Sequence, residues 1–540
     1  MGKSVKGMNR MRIPPLPTGV TLRAVRNGAM LRAADLANQA ALRNYRLFLR
    51  AARTSPTLLE DLSPHAALRA AEQARRRVPA YQTLLARSGW RDDPLLPAAE
   101  RMRLLPTMDK ASYVKVFSTE DRCLDGTIRM KGTTIDESSG SSGTPFNWIR
   151  SADELHDVHR KFSQFGWYFF GENVITINGF SMGAWATGVN AGEAMRRNGI
   201  VKSTGPDLEK ILHTLQFFGP RYPYVITGYP PFLKHLVDES EKRGFDWGAY
   251  RVYGVAGGEG MSEGLRAYLE RRFRGVYSGY GASDIDIGVA GEMPITVWIR
   301  KQAAANPHLQ KALFGDDPRL PMLFQYSPLD YYIETNDAGE LIITVNRLKV
   351  LSPRIRYNIH DAGGVISFGK LLAVLREFGL DPLPACDRAD QPVFHIPFLY
   401  LFGRSDSTIS YMGANIYPED IEQGLFADAD DAGRLGAYCL ELVEIGNGEQ
   451  RACVHVEIID GATDDPLLAD RLRARVLNRL LATNRDFRSS VEEDPSAREI
   501  LIRLHGAGEG PFAINSGRIK RRYIIPSAGA VTPEMASGRA

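Results

Sequence analysis

A run of small and hydroxyl-bearing residues at positions 137–145 is the clearest candidate for chemistry in this chain. It reads Glu-Ser-Ser-Gly-Ser-Ser-Gly-Thr-Pro and follows the extended-looking run Gly-Thr-Thr-Ile at 132–135. A strand that ends in such a loop presents backbone N–H groups and hydroxyls in a small concavity, which suits phosphate oxygens. The alternative is a flexible Gly/Ser surface loop, and the loop alone does not decide between the two. If it holds a triphosphate, the chain is an ATP-using enzyme.

Two further segments place small, aromatic and acidic residues close together. Residues 255–259 read Val-Ala-Gly-Gly-Glu, a strand that ends in small residues around Gly258, so that a flat base can lie against its backbone. Residues 277–284 carry Tyr280, a tight glycine turn at Gly281, and Asp284. Tyr280 can cover the other face of a base, and the Asp284 carboxylate can hold Mg²⁺ through oxygen. Alone, this second pattern is also typical of a turn with a solvated aspartate.

Two more segments follow towards the C-terminus. Residues 353–361 end in Asp361, and a carboxylate at a strand end can accept hydrogen bonds from both ribose hydroxyls, although Asp361 can also simply cap a loop. The other segment is Gly-Arg-Ser-Asp at 403–406, followed by the run 413–422, which begins with Gly413.

The five segments in this order resemble the adenylate-forming superfamily of acyl-CoA synthetases, peptide-synthetase adenylation domains and luciferases. The details are similar to its phenylacetate–CoA ligase branch. They include the GxNxxPxxIE form at 413–422, the run Leu-Pro-Thr-Met-Asp-Lys at 105–110, and Gly-Tyr-Pro-Pro at 228–231 before a helix. The resemblance covers about residues 65–525.

The resemblance implies a two-step ligase. A carboxylate attacks the α-phosphate of ATP to give an acyl-adenylate and pyrophosphate, and a thiol, with coenzyme A as the first expectation, then displaces AMP. Asp406 falls on the family's hinge residue, about which the small C-terminal domain swings between the half-reactions. Gly413 falls where the family brings in the thiol. The nucleotide site implied in this way comprises Ser138, Ser139, Gly140, Ser141, Ser142 and Gly143 for the β- and γ-phosphates, Gly258 and Tyr280 on either side of adenine, Asp361 and Arg404 for ribose, and Asp284 for Mg²⁺. Glu259 and Gly281 are further expected cofactor-binding residues.

The chain departs from the family at the C-terminal lysine. The run 515–521 reads Asn-Ser-Gly-Arg-Ile-Lys-Arg, so Arg518 stands where the family's catalytic lysine is expected. An arginine keeps the charge but is planar, forked and bulkier than an ammonium. Either Arg518 substitutes, or Lys520 reaches the site, or adenylation is weak, and a basic segment without any role is the remaining alternative. Asp284 is also shorter than the family's usual glutamate, which leaves room for a water between carboxylate and metal.

The acid pocket is expected at 179–185, after a predicted strand. By position, Phe180, Met182 and Trp185 would line it, and they favour an apolar, flat acid such as an aryl carboxylate. Each of these side chains can equally belong to the hydrophobic core.

Composition bounds the remaining function classes. The 540 residues are 24% charged and 44% hydrophobic with a formal net charge of +4, which argues against a nucleic-acid binder with a wholly basic surface. Residues 3–53 are arginine-rich with one acid, Asp35, which is typical of either a transit peptide or, as we favour, a helix with a basic face. No apolar run reaches the length of a membrane span, and four scattered cysteines indicate reduced thiols. We therefore expect a cytoplasmic protein without nucleic-acid or membrane partners.

The periodicity predicts the elements that position these residues. Helical patterns occupy 29–53, 64–77, 208–218 and 231–243, Thr107 is the predicted cap of a further helix, and short apolar strands alternate with helices from 174 onward. This rhythm favours a helix-covered parallel sheet. We predict an α/β fold with a basic N-terminal extension at 1–60, a large AMP-binding domain at 61–403, and a small mobile α+β domain at 404–540, in which strands at 453–459 and 500–504 flank a helix near 465–483.

The hypothesis from the sequence is an ATP-dependent acid ligase that takes a small carboxylic acid and coenzyme A as co-substrate. Transfer to an acyl carrier protein or to an amine in secondary metabolism is the nearest alternative. A degenerate, non-catalytic binder of acid or nucleotide is a third, motivated by Arg518. The oligomeric state, a homodimer included, stays open.

Overall fold

The computed structural model describes residues 19–138, 146–183, 186–258, 260–317, 320–404, 409–428, 431, 434–446, 448–458, 465–513 and 525. Within these ranges no helix combines the length and the hydropathy that crossing a membrane requires. All four cysteines are buried and carry free thiols.

Five helices form the N-terminal part. The sequence predicted irregular chain to about residue 28, but the first helix already begins at Gly19 and runs through Asn27 and Gly28. Packing overrides this turn signal, because Leu31 of the same helix is buried against Leu62. The helices are α1 (Gly19–Arg43), α2 (Tyr45–Ala51), α3 (Pro56–Arg77), α4 (Pro79–Ser88) and α5 (Ala98–Leu104).

The arginine-rich segment is joined to the body of the protein. The ring of Phe48 in α2 lies 5.2 Å from that of Phe165 and 5.1 Å from that of Phe394, and Ala52 is fully buried. The described part of the segment is therefore helical and packed against the rest of the protein, as the helix interpretation predicted.

Helix α3 begins eight residues before its predicted start. The Ser55 hydroxyl accepts a hydrogen bond from the backbone N–H of Leu58, and Pro56 occupies the first turn, where its missing N–H costs little. A face of small residues then runs along the helix and is buried, namely Ala66, Ala67, Ala70, Ala71 and Ala74. The predicted cap at Thr107 is wrong: Asp109 caps a short π-helix, Lys110–Val114, through the N–H of Ser112.

A hairpin carries the hydroxyl-rich loop. Strands β1 (Thr134–Ser138) and β2 (Phe146–Arg150) pair antiparallel, with Ser138 opposite Phe146, so residues 139–145 connect them. Helix α6 (Ala152–Phe170) follows at once, capped by Ser151. The loop thus lies between two paired strand ends.

One sheet of eleven strands forms the centre of the molecule. Its strand order is β10-β11-β12-β13-β9-β8-β7-β6-β5-β3-β4. The strands are β3 (Val174–Asn178), β4 (Gly199–Ser203), β5 (Pro223–Gly228), β6 (Arg251–Gly257), β7 (Val276–Ala282), β8 (Asp286–Gly291), β9 (Met322–Tyr326), β10 (Tyr331–Thr335), β11 (Glu340–Val345), β12 (Tyr357–Ile366) and β13 (Phe398–Arg404). The helices between them are α7 (Ala186–Met195), α8 (Leu208–Phe218), α9 (Pro230–Lys242), α10 (Glu263–Glu270), α11 (Pro294–Ala305), α12 (Pro307–Phe314), α13 (Phe368–Glu377) and α14 (Leu383–Cys386).

Only half of this sheet is parallel. Strands β4, β3, β5, β6 and β7 run parallel, as the alternation of strands and helices predicted. From β7 to β10 every pairing in the sheet order is antiparallel. The helix-covered α/β architecture is therefore confirmed, with a mixed sheet in place of a parallel one.

The residues after β13 build their own core. A hairpin, β14 (Ile409–Tyr411) and β15 (Ala414–Ile416), precedes a sheet in which β16 (Leu435–Ile445) pairs antiparallel and β18 (Leu501–His505) pairs parallel with β17 (Glu449–Ile458). Helices α15 (Pro418–Leu425), α16 (Leu468–Thr483) and α17 (Arg485–Glu493) complete it. Buried residues between Ile409 and Ile500 form a cluster separate from that of the large sheet. The boundary at 403/404 and the mobility of this α+β part stay predictions.

Candidate functional site

The C-terminal ends of neighbouring strands in the central sheet bring two of the motifs side by side. Strand β6 ends at Gly257, which is opposite Gly279 of β7, and Gly258 follows with a φ of +84°. A Cβ at Gly258 would lie 2.5 Å from Cε1 of Tyr229. Only glycine therefore fits at this point, both because φ is positive and because an aromatic ring lies directly against its backbone.

A hydrogen bond joins the segment at 277–284 to the segment at 353–361. The Tyr280 hydroxyl donates to Asp361 Oδ2 over 2.6 Å, and both residues are buried. The Tyr280 ring stacks on Phe324 with centroids 6.0 Å apart. Two residues that the sequence predicted for adenine and for ribose thus meet, although 81 positions separate them.

Asp361 lies within a strand and not at its end, which corrects the prediction. It is the fifth residue of β12 and pairs with Arg404 of β13. The preceding residue, His360, has a φ of 63°, which breaks the regular pleat immediately before Asp361. The backbone of the segment that begins at Gly403 therefore lies beside the backbone of Asp361.

Gly281 does not form the predicted tight turn. It belongs to β7, at an irregularity in the pairing with β8 between Tyr280 and Ala282. A Cβ at Gly281 would lie 2.2 Å from the Ile287 carbonyl oxygen. The glycine is thus required by the close approach of the neighbouring strand and not by a turn.

Asp284 follows in the connection between β7 and β8. Its Oδ2 accepts a hydrogen bond of 3.0 Å from the Tyr357 hydroxyl, and its backbone carbonyl accepts one of 2.6 Å from Arg354 Nε. Burial, and then the charge of Asp284, raise the pKa of the Tyr357 phenol, which therefore stays protonated and donates. No described residue donates to the second carboxylate oxygen. A single carboxylate held in this way, together with substrate phosphates, is a donor set that suits Mg²⁺.

The β1–β2 hairpin is hydrogen-bonded to the connection between β7 and β8. Arg150, at the end of β2, donates to the carbonyl oxygens of Ser283 and of Ile285, the latter over 3.0 Å. The Ser283 hydroxyl donates to the Glu137 carbonyl over 3.4 Å. The start of the hydroxyl-rich segment, at Glu137, is therefore in contact with the segment at 277–284. Strand β2 holds the backbone on both sides of Asp284 through Arg150.

Gly413 reaches the site from the C-terminal part. It and Met412 form the two-residue turn between β14 and β15, with φ values of +83° and +53°, the signature of a type I′ turn. A Cβ at Gly413 would lie 3.2 Å from the Tyr229 ring. The same ring therefore contacts the backbone at Gly258 and at Gly413, between the large sheet and the C-terminal part.

Phe180 of the predicted acid pocket lies next to this ring. It is 3% exposed and meets Tyr229 edge-on, with centroids 6.0 Å apart, and it contacts the backbone at Gly257. Met182 follows in an irregular, half-buried segment. The closeness of Phe180 to Gly257 suits a pocket wall, while its burial equally suits the core interpretation.

Several predicted residues lie outside the residues that the structure describes. This holds for the catalytic candidates Arg518, Lys520 and Asp406. It also holds for Glu259 and Trp185. The loop residues concerned are Ser139, Gly140, Ser141, Ser142 and Gly143, and for Ser138 and Arg404 only the backbone is described.

Sequence reasoning missed two residues at the centre of this arrangement. Tyr229 follows β5 directly, so its place at the same sheet edge as Gly258 could have been predicted from the parallel strands. Glu493, at the end of α17, accepts a hydrogen bond of 2.5 Å from the hydroxyl of Ser181, the neighbour of Phe180. No local pattern marks Glu493, because its partner is 312 residues away.

Comparison with known proteins finds similarity in structure but not in sequence. Neither a protein-family model nor a curated protein sequence matches the chain. A solved structure of 2-hydroxyisobutyryl-CoA ligase, in complex with 2-HIB-AMP and CoA in the thioesterification state, matches with a TM-score of 0.59 at 13% identity, covering 88% of this chain and 91% of that one. The fold is the adenylate-forming fold.

A second structure of the same ligase, in an open conformation, matches less well. Its TM-score is 0.50 at 13% identity, and it covers 87% of this chain and 92% of that one. The two matches span most of both chains. At this identity the likeness concerns the fold alone.

Proposed function

We propose that this protein activates a carboxylic acid with ATP and then transfers the acyl group to a nucleophile. A carboxylate oxygen attacks the α-phosphorus, and the bond to the β-phosphate breaks, so that pyrophosphate leaves with the electron pair. The contact between Tyr280 and Asp361 carries the proposal, because it unites two motifs that the sequence assigned separately to one nucleotide. The adenylate-forming fold agrees with it.

In this proposal each described motif has one task. Gly258 and Tyr280 flank adenine, and the Asp361 carboxylate accepts hydrogen bonds from the ribose, next to Arg404. Asp284 takes part in holding Mg²⁺, which would offset the charge of the phosphates. The loop of Ser138–Gly143 holds the β- and γ-phosphates, and either Arg518 or Lys520 supplies a cation near the α-phosphate. These assignments follow the resemblance of the sequence.

The finer identity of the substrates is proposed on the same resemblance. An aryl acid in the manner of the phenylacetate–CoA ligases, with coenzyme A as the thiol, is what the motifs imply. The position of Gly413 against Tyr229 and Gly258 supports an acceptor site where the large sheet and the C-terminal part meet. The acceptor itself has to be found by experiment.

Acid-dependent exchange of labelled pyrophosphate into ATP tests the proposal. The full-length protein is incubated with Mg²⁺, ATP and a panel of aryl, alkyl and hydroxy acids, and exchange above the acid-free rate is expected for at least one of them. Coenzyme A, a carrier protein or an amine is then added to the active mixture. A protein that binds ATP but shows no exchange with any acid would be the non-catalytic binder instead.

The Asp361→Ala variant should bind ATP and AMP about 10- to 10²-fold more weakly, since one charge-assisted hydrogen bond is worth about 1.5–3 kcal/mol. Both nucleotides are affected because both contain the ribose. Calorimetric titration with ATP and with AMP measures the effect, and Asp390→Ala, which removes an exposed carboxylate, is the control. A loss confined to the acid substrate would contradict the assignment to ribose.

The Asp284→Asn variant should need about tenfold more Mg²⁺ for half-maximal exchange, because an amide oxygen is a weaker ligand than a carboxylate. The amide still accepts the hydrogen bond from Tyr357, so the fold is expected to persist. Exchange is measured against Mg²⁺ concentration, beside the exposed-site control Asp316→Asn. An unchanged Mg²⁺ requirement would remove Asp284 from the metal site.

A further inference from the structure

A small cavity lies where the C-terminal part meets the large sheet. It is lined by the rings of Tyr229 and Phe232, by Met412, and by the acidic residues Glu493 and Asp494. The enclosed space is about 10 Å³, and the cavity together with its open approach measures about 260 Å³. The enclosed part suits a group of the size of one water molecule, and the approach has room for a chain attached to it.

The two carboxylates bring negative charge that no described residue balances. Asp494 is 5% exposed, and while its Oδ1 accepts the N–H of Ser496, its Oδ2 has no hydrogen-bond partner among the described residues. Glu493 accepts only the neutral Ser181 hydroxyl. Neither carboxylate forms an ion pair with a described lysine, arginine or histidine. Asp494 is buried and Glu493 is half-buried, and charges removed from water without a partner are costly, so a cation is the expected occupant.

The other walls favour an organic cation over a metal ion. The faces and edges of Tyr229 and Phe232 are apolar, and aromatic rings attract ammonium groups by cation–π interaction. Mg²⁺ and Ca²⁺ would need six or more oxygen ligands, which rings and a thioether do not offer. A thiol, by contrast, carries no positive charge to compensate Glu493 and Asp494.

The cavity also touches the proposed transfer site. Tyr229, which lines it, contacts Gly258 and Gly413, and Ser181, which donates to Glu493, follows Phe180. An amine bound here would therefore contact the same aromatic ring that lies against Gly258 and Gly413. Burial raises the pKa of Glu493, although the Ser181 hydrogen bond opposes it, and a raised pKa makes a carboxylate a better base.

We infer that this cavity binds the ammonium group of a primary amine, and that this amine is the acceptor of the acyl group. The inference rests on the proposed function and replaces coenzyme A as the expected second substrate. The ammonium gives one proton to the Glu493 carboxylate, and the nitrogen lone pair then attacks the acyl carbon. A C–N bond forms, the bond from the acyl carbon to the AMP phosphate oxygen breaks with its electron pair on AMP, and the second proton leaves to solvent. The products are an amide and AMP.

A competition experiment tests the acceptor class. The full-length protein forms the acyl-adenylate from an acid that supports exchange, and equal concentrations of coenzyme A and benzylamine are added. Mass spectrometry is expected to detect the amide in at least tenfold excess over the thioester. Consumption of coenzyme A with no amide from benzylamine, n-butylamine or a diamine would overturn the inference while leaving adenylation established.

Matched variants test the two carboxylates. In Glu493→Gln, the rate of product formation, divided by the rate of pyrophosphate exchange, should fall more than tenfold. The reason is that the glutamine side chain cannot accept the proton from the ammonium group. Asp494→Asn should raise the KM for the amine about tenfold while lowering kcat less. Glu492→Gln, an exposed neighbour at the end of the same helix, should change neither. Wild-type amide formation in both carboxylate variants would refute their role.

Direct binding keeps the inference testable if no acid supports exchange. In that case the proposed function fails, and the cation site is probed by calorimetry with benzylammonium chloride and with neutral benzyl alcohol. Binding of the cation that is lost in Glu493→Gln and Asp494→Asn supports the site. Equal binding of cation and alcohol, or binding of neither, overturns it.

Discussion

The Arg150→Met variant should have a free energy of unfolding about 3–5 kcal/mol lower than the wild-type protein, because it leaves buried carboxylates without their counter-charge. Arg150 is almost fully buried, with Nη1 3.4 Å from Glu154 Oε1 and Nε 3.5 Å from Asp136 Oδ2, and both carboxylates are equally buried. Burial already raises the pKa of Asp136 against the attraction of Arg150. Chemical denaturation with urea measures the loss.

The same variant should weaken the nucleotide site. Arg150 holds the carbonyls of Ser283 and Ile285, on both sides of Asp284, and it ends the strand that leads back to the hydroxyl-rich loop. We therefore expect weaker ATP binding even at temperatures where the variant is folded. Arg196→Met, which breaks an exposed pair with Glu193, is the control and should stay within about 0.5 kcal/mol of the wild type. An equal stability of both variants would show that the buried network does not depend on Arg150.

Replacing the C-terminal cation should slow acyl-adenylate formation by ~10²–10³-fold. The expectation concerns Arg518→Ala or Lys520→Ala, whichever residue acts, and it rests on the resemblance of residues 515–521 to the family's lysine motif. A cation fixed against the α-phosphate stabilises the charge that develops in the transition state. Single-turnover formation of the acyl-adenylate measures the rate.

Two further results separate this role from a structural one. Acyl transfer from a pre-made acyl-adenylate should survive in the same variants, since the family resemblance implies that this step uses another orientation of the C-terminal part. Arg518→Lys should keep or raise adenylation, because an ammonium is the more compact charge. If both alanine variants adenylate at the wild-type rate, neither residue is the catalytic cation.

The local pattern of the sequence predicted most elements well but not their ends. The strands at Val174–Asn178 and Pro223–Gly228 and the helix Leu208–Phe218 follow from hydrophobic periodicity. Helix α1 began earlier than predicted because Leu31 is held by tertiary packing, which a turn signal at 27–28 does not reveal. The sequence correctly predicted parallel pairing for β3 to β7 but not the antiparallel pairing of the strands after β7. Those strands have no local signature that distinguishes them from parallel ones.

Within the candidate site, the sequence by itself determined which residue types stand at which motif, and hence the hypothesis of an acid-activating enzyme. Glycine at 258 and 413 and carboxylates at 284 and 361 are visible in the chain because composition and order are local properties. Only the tertiary structure decided which of them touch: Tyr280 meets Asp361 across 81 residues, and Ser181 meets Glu493 across 312. Such contacts depend on strand order and on how the C-terminal part packs against the sheet, so no periodicity encodes them. That packing brings the carboxylates of Glu493 and Asp494 beside Tyr229. The proposal of an amine acceptor therefore depends on the tertiary structure and could not be made from the sequence.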